Sequence, residues 1–446
     1  MKHLNSLVKK YDTPGPRYTS YPTAPHFSQD CDKAELIKKA VEKNSPRSLY
    51  VHIPFCRSIC FFCGCSSSVC LDSKKADAYL DLLQKELALW KNAGLARCEL
   101  GQIHFGGGTP NFLEAHQILR LREIIGEFFD IQNDCEFSVE LDPRTLSEEK
   151  VKAFAQSGVN RASMGVQDTT PEVQRAINRV QPQHMNLECA QMLRENGIVK
   201  INADLIYGLP LQTPENFANT IRDVLALNPD RIALFNYAHV PWMKSTQKPI
   251  EKFHIPQGDE KLALFTSAMD AFDGAGFEYI GLDHFARPDD ELIKARKNGT
   301  LHRNFQGYST RVNLESFGLG LTSISQTTDS YRQNKKILLA YEASLAKNEL
   351  SLERGIILNS EDILRRRIIM DVMCLLHLDF SKYADNFKEK FAPALAKLSE
   401  MQNDGLVELD ENSLRVTKLG RLFLRNIAML FDGRLPSDGA RYSKTL

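Results

Sequence analysis

The sequence has no surplus of either charge. Its 446 residues carry 56 Lys and Arg against 56 Asp and Glu, so the chain as a whole lacks the basic excess that general binding to a phosphate backbone requires. Long apolar runs are missing as well. Nothing approaches the roughly 18 apolar residues of a membrane-crossing helix, and the opening stretch MKHLNSLVKKYDTPGPRYTS has no continuous apolar segment of a secretion signal. The expectation is a cytoplasmic protein with no membrane span and no nucleic acid as bulk partner. Low-complexity tracts are also absent. Hydrophobic residues at 43% and charged residues at 25% are those of a globular chain rather than a disordered one. The length exceeds one small core and suggests two or three domains.

What the sequence has in quantity is cysteine, and mostly in one place. Five of its 10 cysteines lie between Cys56 and Cys70, in HIPFCRSICFFCGCSSSVC. In a reducing compartment such a cluster points to a metal or redox site rather than to disulfides. The other five, Cys31, Cys98, Cys135, Cys189 and Cys374, are scattered and read as small packing residues. Cys56, Cys60 and Cys63 have the spacing C-x3-C-x2-C just after Pro54 ends a strand. A short loop of this kind can place three thiolates on three corners of an iron–sulfur cubane and leave the fourth iron open to a small molecule. A structural zinc site wants four closed ligands, usually as two separated pairs. No second pair matches here, although Cys65 or Cys70 could supply a fourth thiolate to zinc or to a closed cluster.

Between residues 48 and 286 short apolar runs alternate with helical patterns. The strand candidates are SLYVHIP, QIHFGGG, EFSVELD, RASMGVQD, INADLIYGLP, RIALFNYAHVP and FEYIGLDHF. Helix starts are marked by Thr213 before Pro214 and by Thr145 to Glu148, which fits a capping box; Gly158 and Gly197 mark helix ends. Strand then helix, repeated, with near-continuous apolar strands, predicts an α/β fold with a parallel sheet curved into a partial or full (β/α) barrel. Glycines and polar residues gather just after the strands, where the mouth of such a barrel lies, and this points to an enzyme. From about residue 331 the pattern turns to longer helices. It ends in a helix, two short strands around DEN and a further helix, a winged-helix-like unit in which residues 361–446 hold 14 Lys and Arg against 13 Asp and Glu. That balance speaks against DNA. The expected division is an N-terminal arm and helix over 1–45, a barrel over 46–330 and a mostly helical, winged-helix-like domain over 331–446. In the arm, DTPGPRYTSYPTAPHF reads as extended chain.

The three-cysteine spacing on the loop after a first barrel strand, with Phe62 just before the third cysteine, resembles the radical S-adenosylmethionine superfamily. Further stretches, YVHIPFC, CGC, FGGGTP, VELDPR, SMGVQD, DLIYGLP, FNYAHVP, GLDHFARPDDEL, HRNFQGY, GPRYTSYPT and GLVELDENSLRVTKLGRLFLRNI, are similar from end to end to the oxygen-independent coproporphyrinogen III oxidases, or coproporphyrinogen dehydrogenases. The resemblance implies that Cys56, Cys60 and Cys63 ligate a [4Fe-4S] cluster whose fourth iron binds S-adenosylmethionine. Tyr50 and Phe62 would lie beside it, Gly107, Gly108 and Thr109 would border the cofactor, and Glu140 would hold it. It further implies a second S-adenosylmethionine against Phe62, Gly108, Thr109, Gln167, Arg179, Asp204 and Ala238, with Ile324 contacting the first. Cys65 is implied as a catalytic residue and Glu140 as a supporting one.

The implied substrate is coproporphyrinogen III, two of whose four propionates become vinyl groups, giving protoporphyrinogen IX in anaerobic porphyrin biosynthesis. A 5′-deoxyadenosyl radical would remove a hydrogen from the propionate β-carbon, and loss of CO2 and of one electron would follow. Carboxylates call for guanidinium groups, and Arg17, Arg287 and Arg303 are the candidates. His52, His104, His239 and His284 read as hydrogen-bonding scaffold. The implied partners are an electron donor, an electron acceptor that the sequence does not identify, and no second subunit, since the family is monomeric. Two other activities share the barrel: a haem chaperone, in which an aromatic stands in place of Cys65 and the tyrosine arm is missing, and a radical enzyme that opens haem.

Overall fold

The computed structural model describes residues 2–312, 314–435 and 442–445. It falls into two compact units. One comprises Ser28–Ala275 and Asn313–Ile357, the other Met1–Phe27, Gly276–Val312 and Leu358–Leu446.

The larger unit is built on six parallel strands, β1 (Arg47–Ile53), β2 (Glu99–Gly107), β3 (Asp130–Leu141), β4 (Arg161–Gln167), β5 (Lys200–Tyr207) and β6 (Arg231–Asn236), hydrogen-bonded in that order. Four more strands extend the sheet beyond β1: β7 (Glu315–Leu319), parallel to it, then β8 (Ile324–Gln326), β9 (Ser330–Asn334) and β10 (Leu352–Ile357), all antiparallel. The strand order has two free ends, so the sheet is a partial barrel and not a closed one. The last two strands fall inside the stretch that reads as helical from about 331.

Successive residues on a strand face opposite sides. Leu49, Val51 and Ile53, Ile103 and Phe105, Phe137 and Val139, and Ala162 and Met164 are shut off from solvent beneath the helices. Phe105 and Phe137 meet edge to face with ring centroids 4.8 Å apart. Helix α1 (Lys74–Asn92) covers this face with Ala76, Tyr79, Leu80, Leu83, Leu87 and Trp90, a stripe at helical spacing. Each leucine of the stripe contributes about 1.5–3 kcal/mol by leaving water.

The opposite face differs from the expected near-continuous apolar strands. Its residues are Ser48, Tyr50 and His52, Gln102 and His104, Ser138 and Glu140, Ser163, Asn202 and Asp204. Register lines them up across the sheet, with Tyr50 opposite His104, His104 opposite Ser138, Glu140 opposite Ser163 and Ser163 opposite Asn202. The interior is therefore a polar surface.

Two local expectations change. The helix Glu148–Gln156 is capped by Ser147, whose hydroxyl accepts from the Lys150 amide, while the Thr145 hydroxyl accepts from Asn111 at 3.0 Å. FEYIGLDHF forms not one strand but an antiparallel hairpin, Glu278–Gly281 against His284–Ala286. Leu282 sits at φ 46, the left-handed geometry a tight hairpin turn needs.

In the smaller unit the arm is anchored by its tyrosines. Tyr18 and Tyr21 are buried, Tyr18 donates to Asp432 at 2.9 Å, and the Gly433 amide donates to the Tyr21 hydroxyl at 3.0 Å. Arg425 binds the carbonyls of Gly15 and Pro16. A three-stranded antiparallel sheet joins His377–Asp379, Ser413–Val416 and Val407–Leu409 in that order, and the helix Ala392–Asn403 lies against Val407–Leu409. Among the described residues no helix is long and apolar enough to cross a membrane.

Candidate active site

The cysteine loop leaves β1 at Pro54 and is closed at its base by backbone bonds from Ser68 to Pro54 at 2.8 Å and from Cys70 to Cys56 at 2.9 Å. Neighbouring elements grip it from outside. The Phe61 amide donates to Ile177 at 3.0 Å, Asn178 donates to the Ile59 carbonyl at 2.7 Å, Gln247 to Phe62 at 3.1 Å and Lys244 to Cys65 at 3.0 Å. His52 meets the Ser66 carbonyl at 2.9 Å.

All 10 cysteines are free thiols. The sulfur of each of the three spaced cysteines receives its own donor. Thr109 Oγ1 lies 3.4 Å from Cys56 Sγ, Arg144 Nη2 3.4 Å and Arg179 Nη1 3.6 Å from Cys60 Sγ, and the Cys65 amide 3.4 Å from Cys63 Sγ. The Cys65 thiol also donates to Cys63, which brings Cys63 down to about 6 and pushes Cys65 well up. Burial raises Cys56. Tetrahedral zinc, with Zn–S near 2.3 Å, would need its sulfurs within about 3.8 Å of one another. Among the described residues no three His, Cys, Asp or Glu side chains gather closely enough for a single ion. Three thiols on one loop, each with a donor at its sulfur, fit the ligand set of an iron–sulfur cluster. Cys70 is buried and turns its sulfur to the Asp72 carbonyl at 3.3 Å.

Against this loop stands the end of β2. Gly107 has φ 114, and a Cβ there would lie 2.6 Å from the His52 ring; one at Gly108 would meet the Phe55 carbonyl at 2.8 Å. Only glycine lets the two loops close on each other. The Gly107 amide donates to Glu140 at 3.1 Å, and His104 Nε2 lies 3.1 Å from the other Glu140 oxygen, with Ser138 2.6 Å from His104 Nδ1. Burial pushes the Glu140 carboxyl up, but the bond and charge of His104, the Gly107 amide and the charge of His52 together outweigh it and leave the group below its ordinary value. Although ringed by protein atoms, the Glu140 side chain is 43% exposed, because it faces the open interior of the barrel. Tyr50 stacks on His104 with centroids 5.8 Å apart and bonds His52 at 3.0 Å.

Around the interior the remaining residues follow. Gln167 ends β4 at φ 68, and its buried Oε1 has no hydrogen-bond partner, an acceptor site left over for a ligand. Asp204 accepts from Ser163 at 2.9 Å and Asn202 at 2.7 Å, and burial, aided by the charge of Glu140, raises it to about 7. Phe62 packs against the group around Val173, Ile206 and Tyr237, and the Ala238 carbonyl accepts from Gln247 at 3.2 Å. Ile324 opens β8 against Gly318, the residue paired with Tyr50.

The expected cluster and cofactor residues all belong to the larger unit. Arg17, Arg287 and Arg303 belong to the smaller one. There Arg17 pairs with Asp283 at 3.4 Å and Arg287 lies over Phe277 at 4.3 Å. Arg303, 6% exposed, lies over Tyr308 at 4.7 Å, with its Nε and Nη1 lacking hydrogen-bond partners. His52, His104 and His239 each make hydrogen bonds, His239 to Tyr237 at 2.9 Å, while the His284 ring meets Tyr308 edge to face with centroids 5.2 Å apart. Arg144 escaped sequence reasoning. The available signal was its place two residues after Asp142, whose carboxylate accepts the Arg144 amide at 3.1 Å and so folds the guanidinium back onto itself.

Residues 50–224 match the family model of the Radical SAM superfamily, and residues 358–423 that of the HemN C-terminal domain. The chain is 43% identical over 435 residues to the oxygen-independent coproporphyrinogen III oxidase of Salmonella typhimurium, covering 96% of this chain and 95% of that protein. With the enzyme of the same description from Helicobacter pylori strain J99 it shares 43% over 448 residues, 98% of either chain. The solved coproporphyrinogen III oxidase (HemN) of Escherichia coli, described as a radical SAM enzyme, superposes with TM-score 0.91 at 41% identity over 96% of this chain and 98% of that one.

Proposed function

The chain belongs to the family of oxygen-independent coproporphyrinogen III oxidases, and we propose from that premise that it converts two propionates of coproporphyrinogen III to vinyl groups, yielding protoporphyrinogen IX. The observation that carries the reading is the cysteine loop: three sulfurs, each supplied with a donor, at the end of β1 and facing a polar barrel interior. When bound, a [4Fe-4S] cluster and S-adenosylmethionine supply the 5′-deoxyadenosyl radical that begins the reaction.

Cys56, Cys60 and Cys63 would hold the cluster. Cys65, exposed and next to Cys63 in the loop, with its amide turned to the Cys63 sulfur, would serve the reaction rather than ligate. Glu140, its carboxylate bonded by His104 and by the Gly107 amide, suits the ribose hydroxyls or the ammonium group of the cofactor. Tyr50, Gly107 and Ile324 complete that side. The unpartnered Gln167 oxygen, Asp204, Arg179, Ala238, Phe62, Gly108 and Thr109 line a place for a second S-adenosylmethionine. Arg303, with two partnerless N–H groups in a buried setting, is built to receive a carboxylate, and Arg17 and Arg287 would serve the other propionates. A low-potential electron donor, a separate electron acceptor, a monomeric state and a cytoplasmic setting complete the reading.

The test is an anaerobic assay of the reconstituted protein with S-adenosylmethionine, dithionite and coproporphyrinogen III, followed for protoporphyrinogen IX and 5′-deoxyadenosine. Both products are expected. Tight haem binding with neither product would replace the oxidase with a haem chaperone.

A further inference from the structure

Cys60 differs from the other two loop cysteines in what its sulfur faces. Cys56 meets a hydroxyl and Cys63 a backbone amide, whereas Cys60 receives N–H groups from two guanidiniums, Arg144 at 3.4 Å and Arg179 at 3.6 Å. One carboxylate anchors both. Arg144 approaches Asp142 with Nε at 3.0 and 3.2 Å and with Nη2 at 2.7 Å, and Arg179 does so with Nη1 at 3.2 Å and Nη2 at 3.3 Å. Arg179 has a further tie to the Gly165 carbonyl at 2.6 Å. Two cations against one anion leave a positive charge in excess beside the sulfur. Water does little to screen it, because Cys60, Asp142 and Arg179 are 8%, 8% and 6% exposed.

A donor aimed at a ligating sulfur draws off part of its negative charge, and the more electron-rich the sulfur, the stronger the bond. Such donors therefore favour the reduced form of a cluster and raise its potential. We propose that Arg144, acting with Arg179, is a positioning residue that sets the reduction potential of the cluster through Cys60, with Asp142 as the strut that keeps both guanidiniums aimed. The inference rests on the cluster reading given above. The redox step is the uptake of one electron from a low-potential reductant, taking the cluster from the 2+ to the 1+ level; no bond forms or breaks and no proton moves. Arg144 thus eases the first electron into a centre otherwise hard to reduce.

The experiment compares full-length, anaerobically reconstituted wild type, R144M and R144K. Potentials are read from the EPR signal of the reduced cluster in a mediator titration with dithionite, and cluster content from iron and sulfide analysis. R144M is expected to hold iron as wild type does, with reduction disfavoured about tenfold, or roughly 59 mV for one electron. R144K keeps the charge without the fork and is expected to fall between. A wild-type potential in R144M at full iron content overturns the inference. Should R144M fail to hold iron, R144K decides, and a wild-type potential there overturns it equally. Loss of iron from both variants at an unchanged melting temperature would make Arg144 an assembly residue and also overturn it. A wild-type protein that takes up no iron–sulfur cluster would instead sink the cluster reading itself.

Discussion

Replacing Asp204 by asparagine should stabilise the protein progressively as pH rises, and the size of the effect follows from where Asp204 sits. Burial, joined by the charge of Glu140, lifts its carboxyl from the ordinary 3.8 to about 7. The folded chain therefore holds a proton in this window that the unfolded chain has already released. With fewer protons bound in the unfolded state, stability falls as pH increases, by about 1.4 kcal/mol per unit. Between pH 5 and 7 that amounts to at most about 2.7 kcal/mol, and above 7 the wild type carries a charged, poorly solvated carboxylate that the D204N variant lacks. Ser163 and Asn202, which both donate to Asp204, have room to adjust, since the Ser163 hydroxyl already accepts from Asn202 at 2.8 Å. Thermal unfolding of the reduced, metal-free wild type and D204N at pH 5 and pH 8 gives a difference of differences from which all other titrations cancel. At roughly 2 °C per kcal/mol for a unit of this size, D204N should gain about 5 °C on the wild type between the two pH values. A gap that stays within about 1 °C would refute the raised acid.

C65S should keep the brown cluster and its iron content but lose turnover; loss of iron would make Cys65 a ligand. R303M should raise KM for coproporphyrinogen III by about 10- to 100-fold, the worth of a charge-assisted hydrogen bond, with iron content unchanged, and initial rates at low substrate equal to wild type would remove Arg303 from the substrate site. F137A, which deletes a ring packed against Phe105, should cost about 3–5 kcal/mol in denaturant unfolding, and a loss below 1 kcal/mol would show that this part of the core collapses around the gap.

The chemistry-bearing loop was legible because its information is local. Three cysteines within eight positions, a proline before them and glycines at the end of the next long strand constrain one another through short stretches of chain, and Cys56, Cys60, Cys63, Gly107, Gly108 and Glu140 come to one place in the structure. The strand candidates could be read for the same reason, each being an apolar run between turn signals, and six of the seven are single strands. Polar residues on the inner face were harder to see as a set. Ser138, Ser163 and Asn202 look like interruptions in their own strands, and become one surface only when register puts them side by side. The hairpin at residues 278–286 was hidden by Leu282, which adopts a left-handed backbone more often taken by glycine or asparagine. Arg17, Arg287 and Arg303 read alike as carboxylate binders, yet an aspartate engages the first, an aromatic ring lies under the second, and the third holds buried N–H groups with no partner.

The charge arrangement around Cys60 shows why some functional residues lie beyond any reading of single motifs. Asp142 and Arg144 are two positions apart and form a closed pair by themselves, which taken alone is electrically neutral and reads as a turn. Arg179 comes from a loop 37 residues later than Asp142, brought in because β3 and β4 are parallel neighbours and the chain after β4 returns over their ends. With its arrival the neutral pair becomes a cation, and the sulfur it faces becomes different from its two companions. If the excess charge is what matters, D142N should increase it and move the cluster potential opposite to R144M, provided iron content is retained. A shift in the same direction for both substitutions would mean that Asp142 matters for holding the guanidiniums in place and not for balancing their charge.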